Sequence, residues 1–561
     1  MEVSRIRALR GPNLWSRHTA IEAIVSCTEA ECDIDAIPGY EPRLRNLFPE
    51  MGFLETDGNL GAISMAQALE LAALGLQACA GCPVTFSRTA PTLEKGVFQV
   101  VVEYTEEKVG RLAFELAMQL IRAAADENGV FDLTAALASL QELDEDVRLG
   151  PSTGSIVQAA VARGIPYRRL TEGSLVQFGW GSKQRRIQAA ETDLTSAVAE
   201  AIAQDKELTK TLLRAAGVPV PLGRAVTDAD DAWLAAREIG GLVVVKPRDG
   251  NQGKGVAVKL RTEEEVRRAY NVAAEFSDDI LVERYLPGHD YRMLVIGDKL
   301  IAAARREPPL VIGNGKHSIR ELVEKVNADP RRGTGHATSL TKIRFDEIAI
   351  ATLEKQGFSA ESVPPKGKRV ILRNNANLST GGTATDVTDD VHPEVAERAI
   401  AAARNIGLDI CGVDVVCESV LEPLEAQSGG IVECNAAPGL RMHLQPSYGK
   451  GRPVGEAIVA NMFKPGENGR IPVVAVAGTN GKTTTVRLTA HLIGMAGKRV
   501  GMTNSDGVYV GKRRSIPATA AARAVPATSC CTRMWTPRCS KPPAAACCAK
   551  ALPSTAAMWR W

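Results

Sequence analysis

The pattern of apolar and polar positions changes style three times along this chain. Over residues 1–160, short apolar stretches alternate with amphipathic helices such as RLAFELAMQLIRAAA, in which apolar positions recur every three or four residues. That pattern predicts an N-terminal α+β accessory domain. From Ser155, SIVQAAVARGIPYRRL reads as a helix, a Gly-Ile-Pro break and a strand, and strands alternate with helices to about Asn468. An α/β domain over 161–468 follows from this alternation. PGENGRIPVVAVAGTNGKTTT then supplies a Pro/Gly-rich linker and a strand, Val473 to Ala477, of the kind buried on both faces in parallel sheets; with its neighbouring strands missing, this apolar run is expected to face water or another chain. Residues 469–514 thus read as strand, glycine-rich turn and helix, the opening of a phosphate-binding domain. No period persists over 515–561. The fold class expected is α/β and α+β multidomain.

Composition narrows the function classes. A net charge of +2 with 24% charged residues points to neither nucleic acid nor a membrane surface. The N-terminus MEVSRIRALRGPNLW has no apolar signal core, and no run of about 18 apolar residues suggests a membrane span, so the expected compartment is the cytoplasm. Cys79 and Cys82 form a lone CxxC with Cys27 and Cys32 far upstream. Free thiols in a reducing compartment are the stronger reading than a zinc site, which usually shows two tight pairs. Residues 515–561 contain no Asp, Glu, Gly, Asn or Gln, yet hold five Cys and three Trp. They read as the product of a shifted frame after about residue 514. Restoring one base forces Val and then Asp from Met534-Trp535-Thr536, and permits a tail rich in acids and glycines. On that reading the domain begun at 469 is incomplete.

Four stretches of the middle region carry chemistry. QDKELTKTLLRAAGVPVP places Lys206 at a helix start, and GLVVVKPRDGNQGKGVAV ends a buried strand in Lys246 before a loop with Gly250, Gly253 and Gly255 around Lys254. Glycines let backbone approach phosphate oxygens, and lysines supply the compensating charge. ILVERYLPGHDYRMLV gives Glu283, a short hinge, then Asp290 and Arg292. CGVDVV places Asp414 on one strand, and in GGIVECNAAPGLRMH Glu433 and Asn435 stand two apart on the next, so both face one way. Three oxygen donors on adjacent strands suit Mg²⁺. Singly, each piece is weak: a glycine-rich loop is often a plain turn, and an Asp at a strand edge is usually just solvated. In this order they are specific.

The set resembles the ATP-grasp superfamily over about residues 160–465. The resemblance implies that Lys206 and Lys246 bind ATP phosphates and that Lys254 lies in the loop closing over them. It implies further that Glu283 meets the adenine amino group, that Asp290 holds the ribose hydroxyls, and that Asp414, Glu433 and Asn435 hold Mg²⁺. Arg292 and Arg373 become candidates for the acyl phosphate and its tetrahedral intermediate, reached when ATP phosphorylates a carboxylate and an amine displaces phosphate. GTNGKT is similar to the phosphate loop of the Mur ligase family, which makes amides by the same route. Gly478, Thr479, Asn480, Gly481, Lys482, Thr483 and Thr484 would cradle phosphates at a helix N-terminus, with Lys482 on the terminal phosphates and Thr483 on Mg²⁺.

This domain order, together with LRGPNLWS, RRLTEGSLVQFGWGSKQRRI, NNANLSTGGTATDVT and VECNAAPGLRMHLQPS, resembles the cyanophycin synthetase family over residues 1–514. The resemblance implies a homo-oligomeric, ATP- and Mg²⁺-dependent ligase making multi-L-arginyl-poly-L-aspartate. Its partners would be L-aspartate, L-arginine and a polymer primer, with no nucleic acid and no membrane. The ATP-grasp half would add aspartate and the Mur-like half arginine. The incomplete second half predicts loss of arginine addition. The alternatives are another ATP-grasp amino-acid ligase and an inactive truncated protein that binds polymer.

Overall fold

The computed structural model describes residues 1–11, 13–51, 63–248, 255–329, 331–333, 340–517 and 538–540. Lys254, with Gly250 and Gly253 of its loop, lies outside them, as does most of the 515–561 tail. Two units partition the chain: Met1–Arg148 with Trp180–Lys183 and Ile471–Trp561, and Leu149–Gly179 with Gln184–Arg470.

In the first unit, β1 (Glu2–Leu9), β2 (Ala20–Ser26), β3 (Ser87–Pro91) and β4 (Val97–Glu103) form an antiparallel sheet in the order β1-β2-β4-β3. Helices α1 (Met65–Cys79) and α2 (Glu107–Ala125) bury their apolar stripes with it in one core holding Leu69, Leu76, Phe114 and Ile121. Ser64 and Gln67 close a capping box that fixes where α1 begins.

The second unit contains the helix expected over SIVQAAVA, at Pro151–Ala162, and the strand after it, at Tyr167–Arg169. Asp205 starts α3 (Lys206–Ala215) by accepting from the backbone N–H groups of Glu207 and Leu208. A four-stranded antiparallel sheet follows, formed by β5 (Gly223–Val226), β6 (Val243–Pro247), β7 (Ala257–Leu260) and β8 (Ile280–Arg284) in the order β7-β6-β8-β5. The larger sheet holds β9 (His289–Ile296), β10 (Lys299–Glu307), β13 (Thr383–Asp386), β14 (Ile410–Cys417) and β15 (Gly430–Asn435), ordered β13-β10-β9-β14-β15. Between β10 and β13 lie the short parallel pair β11 (Arg332–Gly333) and β12 (Leu340–Thr341).

Alternation decides which side chains of the larger sheet see the core. Tyr291, Met293, Cys411, Val413, Val415, Ile431 and Cys434 belong to one buried cluster. Asp290, Arg292, Asp414, Glu433 and Asn435 occupy the intervening positions and so share the opposite face. Cys411, Cys417 and Cys434 are buried free thiols, and Cys27, Cys32, Cys79 and Cys82 are free as well.

The phosphate-loop region has the expected order: β16 (Val473–Ala475), the loop, then helix α5 (Lys482–Met495). The sheet there runs β16-β20-β17-β18-β19, where β17 is Gly501–Asn504, β18 Gly507–Val510, β19 Arg513–Pro517 and β20 Arg538–Ser540. Strand β20 pairs in parallel with both β16 and β17. As expected for this apolar run, Val473 and Ala475 are exposed, and β16 is the edge strand of this sheet. Among the described residues, no helix is long and apolar enough to cross a membrane.

Candidate functional site

Strand register turns scattered motif residues into a continuous charged row. Asp290 of β9 stands opposite Arg306 of β10, Arg292 of β9 opposite Asp414 of β14, and Asp414 opposite Glu433 of β15. Arg292 grips Asp414 through two bonds, Nε to Oδ1 and Nη2 to Oδ2, the latter 3.1 Å. Arg306 donates to Asp290 Oδ1 at 2.6 Å and reaches Asp414 Oδ2 at 3.1 Å. Two carboxylates and two guanidiniums thus balance inside the row. Burial pushes the Asp414 carboxyl upward, but the Arg292 and Arg306 charges outweigh it and hold the group below its ordinary range. Asp290 goes the other way: burial raises it, and the neighbouring Asp414 charge adds to that.

Asp414 and Glu433 are like charges directly across two strands, a destabilising pair unless cations intervene. Arg292 serves Asp414, and Lys206 Nζ lies 3.8 Å from Glu433 Oε1. Asn435 donates its Nδ2 to Gly412 O at 3.3 Å, which orients its amide on the same face. Among the described residues no three His, Cys, Asp or Glu groups cluster as metal ligands. Two carboxylates and an amide oxygen match Mg²⁺, which takes one or two carboxylates and fills its shell with phosphates and water.

Helix α3 reaches both sheets. Its first residue, Lys206, points at Glu433, and Lys210, one turn later on the same helical face, ion-pairs with Glu283 on β8. Lys246 of β6 contacts the second oxygen of Glu283 at 2.6 Å. Glu283 therefore sits between two ammonium groups rather than alone in a hinge. Its burial raises its pKa, but the Lys246 and Lys210 charges overcome that and hold it down. Burial and the Lys246 charge pull Lys210 down to about 8. Arg248, just past β6, clasps Asp205 at 3.1 and 3.0 Å, which ties the end of that strand to the start of α3.

Not every expected residue joins this group. Arg373 is buried and pairs with Asp346, the N-cap of the helix Glu347–Lys355, while its Nε meets no acceptor. Lys210, Arg306 and Arg248 were not singled out in the sequence. Lys210 carried a signal, the four-residue spacing from Lys206 within DKELTK. Arg306 had none, because two adjacent arginines in AARRE leave open which one faces the row.

In the phosphate-loop region, considered separately, Gly478 has φ +149° and Gly481 φ +74°, conformations that side-chain-bearing residues rarely adopt. Gly481 caps α5. Lys482 folds its Nζ back onto Gly478 O and, at 2.8 Å, onto Thr479 O. Asn480 and Thr484 flank this turn, and Thr483 Oγ1 lies 3.2 Å from Ser505 Oγ.

Residues 24–126 match the cyanophycin synthase-like N-terminal domain, and residues 205–303 match the ATP-binding domain of the carbamoyl-phosphate synthase L chain. The chain is 43% identical over 526 residues to cyanophycin synthetase of Trichormus variabilis, spanning 91% of this chain and 58% of that protein. It is 32% identical over 381 residues to the glutathione biosynthesis bifunctional protein of Clostridium perfringens, spanning 65% of this chain and 49% of that one. A solved bifunctional glutathione synthetase from Pasteurella multocida is 29% identical, with a TM-score of 0.47 over 62% of this chain and 49% of its own. The chain covers 58% to 61% of the length of the curated cyanophycin synthetases it matches. Over 91% of its length the chain is similar to the cyanophycin synthetases, with a match to the cyanophycin synthase-like N-terminal domain followed by a match to an ATP-binding domain.

Proposed function

We propose that this chain is the aspartate-adding part of a cyanophycin synthetase: it activates a terminal carboxylate of a poly-aspartate primer with ATP and joins it to the amine of L-aspartate. The observation that carries this reading is the row Arg306, Asp290, Arg292, Asp414, Glu433 on one sheet face, with Lys206 brought against it by α3. Lys206 and Lys246 would bind the phosphates, and Asp414, Glu433 and Asn435 would hold Mg²⁺, which when bound with ATP offsets the charge of the transferred phosphoryl group. Arg292, released in part from Asp414, would bring a guanidinium to the activated carboxylate. Arg306 keeps Asp414 ionised while that happens, since it contacts the same carboxylate. The loop from Gly478 to Thr484, with Lys482 and Thr483, would cradle the phosphates of a second nucleotide, and arginine addition is not proposed for this chain. The protein would work as a homo-oligomer in the cytoplasm.

The test is phosphate release by the purified full chain given ATP, Mg²⁺, L-aspartate and a short primer. Release requiring both aspartate and primer is the expected result. Release needing only one of them, or a different amino acid, would overturn the assignment.

A further inference from the structure

Arg332 and Arg441 are held, among the described residues, by neutral acceptors. Arg332 on β11 is 8% exposed and donates from Nη1 to Thr341 O at 2.6 Å and to Gly381 O at 3.2 Å. Arg441 opens the short helix α4 (Arg441–Leu444) and donates from Nη2 to Thr341 Oγ1 at 2.9 Å, while its Nε is buried without an acceptor. Thr341 therefore fixes both guanidiniums, one through its carbonyl and one through its hydroxyl. Among the described residues, no carboxylate hydrogen-bonds to either. Asp329, whose charge does reach Arg332, is hydrogen-bonded to Arg331. The six residues joining β11 to β12 contain no acid.

Four other arginines of the unit, Arg292, Arg306, Arg373 and Arg452, have carboxylate partners. Burial disfavours the charged form of both Arg332 and Arg441, and the Arg332 charge adds to the effect on Arg441. Arginine is rarely buried unpaired, because its desolvation needs an opposite charge in return. The remaining N–H donors of a fixed guanidinium form a planar fork, which matches a carboxylate. Two residues after Arg441, the buried ring of His443 feels the charges of Arg292 and Arg306, so α4 links this pair to the Asp414 row.

We infer that Arg332 and Arg441 form a subsite for a carboxylate of the acidic substrate, contributed either by free L-aspartate or by the primer. The inference rests on the ligase reading above for the identity of the substrate, but its test does not. Titration calorimetry on the full chain without ATP would use three probes: L-aspartate, a tetra-aspartate peptide and inorganic phosphate. Arg441→Gln should weaken one of the two carboxylate probes at least tenfold, and which one it weakens identifies the source. Arg441→Lys should recover part of the loss, and Thr341→Val, which removes only the hydroxyl that aims Arg441, should weaken the same probe. The melting temperature of Arg441→Gln should be unchanged or higher, since an unpaired buried charge is removed. The subsite is overturned if wild type binds neither carboxylate, if folded variants bind both as wild type does, if the loss is confined to phosphate, or if Arg441→Gln melts lower with binding intact. A chain that binds carboxylate through Arg441 yet releases no phosphate in the ligase assay would refute the ligase reading and leave the subsite standing.

Discussion

Neutralising Glu283 and removing Lys210 should destabilise the protein unequally. The triad Lys210–Glu283–Lys246 is buried, with side-chain exposures of 6%, 7% and 16%, and carries a net charge of +1. At the 2.6 Å Lys246–Glu283 contact an effective dielectric of about 20 gives a gross attraction of about 6 kcal/mol, most of it offset by desolvation. Glu283→Gln leaves two ammonium groups sharing a neutral amide in the interior, the situation that typically costs about 3–5 kcal/mol. Lys210→Met removes a cation already disfavoured by burial and by Lys246, keeps an unbranched side chain in its place, and leaves Glu283 paired, so its cost should be about 1–2 kcal/mol. The double substitution should cost less than the sum of the two by roughly 1–3 kcal/mol, because the second change removes the repulsion that the first exposed. Scanning calorimetry at pH 7 reads this directly, since about 1 kcal/mol moves a transition by roughly 2–4 °C in a domain of this size. The reasoning fails if Lys210→Met is as damaging as Glu283→Gln, or if the double variant is simply additive.

Acid should act through the same carboxylate. Glu283 is held below its ordinary value, so its contribution is fully present above about pH 4.5 and is lost as pH falls through the lowered value, and Glu283→Gln should flatten that part of the stability profile. Asp414→Asn should leave the circular dichroism spectrum unchanged and slow ATP-dependent aspartate addition by about 10²-fold, the scale of a lost electrostatic contact to the transition state; near-normal turnover at saturating Mg²⁺ would contradict its placement. Burial first, and then the Arg292 charge, push His443 down to about 3, so it stays neutral at working pH. His443→Gln should therefore leave the shape of the pH–rate profile between pH 5.5 and 8 unaltered, and a missing limb in that range would show the ring titrating.

The two-residue spacings in DYR and ECN were enough to place Asp290 with Arg292 and Glu433 with Asn435, because a strand repeats every two residues. That Glu433 lies on the strand next to that of Asp414 was legible from their order along the chain. That Arg292 stands opposite Asp414 depends on register between strands more than a hundred residues apart, and only packing fixes that. Glu283 was legible as a charged residue at a strand end, but its two lysine partners come from a helix and a neighbouring strand. Arg373 shows the opposite case: an arginine after a strand looked available for chemistry, yet a helix-capping aspartate holds it. The phosphate loop was legible because its glycines meet a backbone requirement local to the turn, as Gly481 does. The shifted-frame reading of the tail rests on the sequence alone.

The three buried cysteines of the larger sheet give that sheet a chemical clock. Cys411 and Cys417 on β14 and Cys434 on β15 lie on the face opposite the charged row, and burial pushes the Cys417 thiol up to about 12. The Cys434 thiol is raised by its hydrogen bond with the Cys411 thiol and by burial. An alkylating reagent that needs a thiolate therefore reaches them only when β14 and β15 part, whereas exposed Cys79 is open to reaction at once. The rate at which those three sites gain mass measures how often the strands bearing Asp414 and Glu433 separate. Slowing of that rate by nucleotide would record, without any turnover, how strongly a ligand clamps this pair of strands.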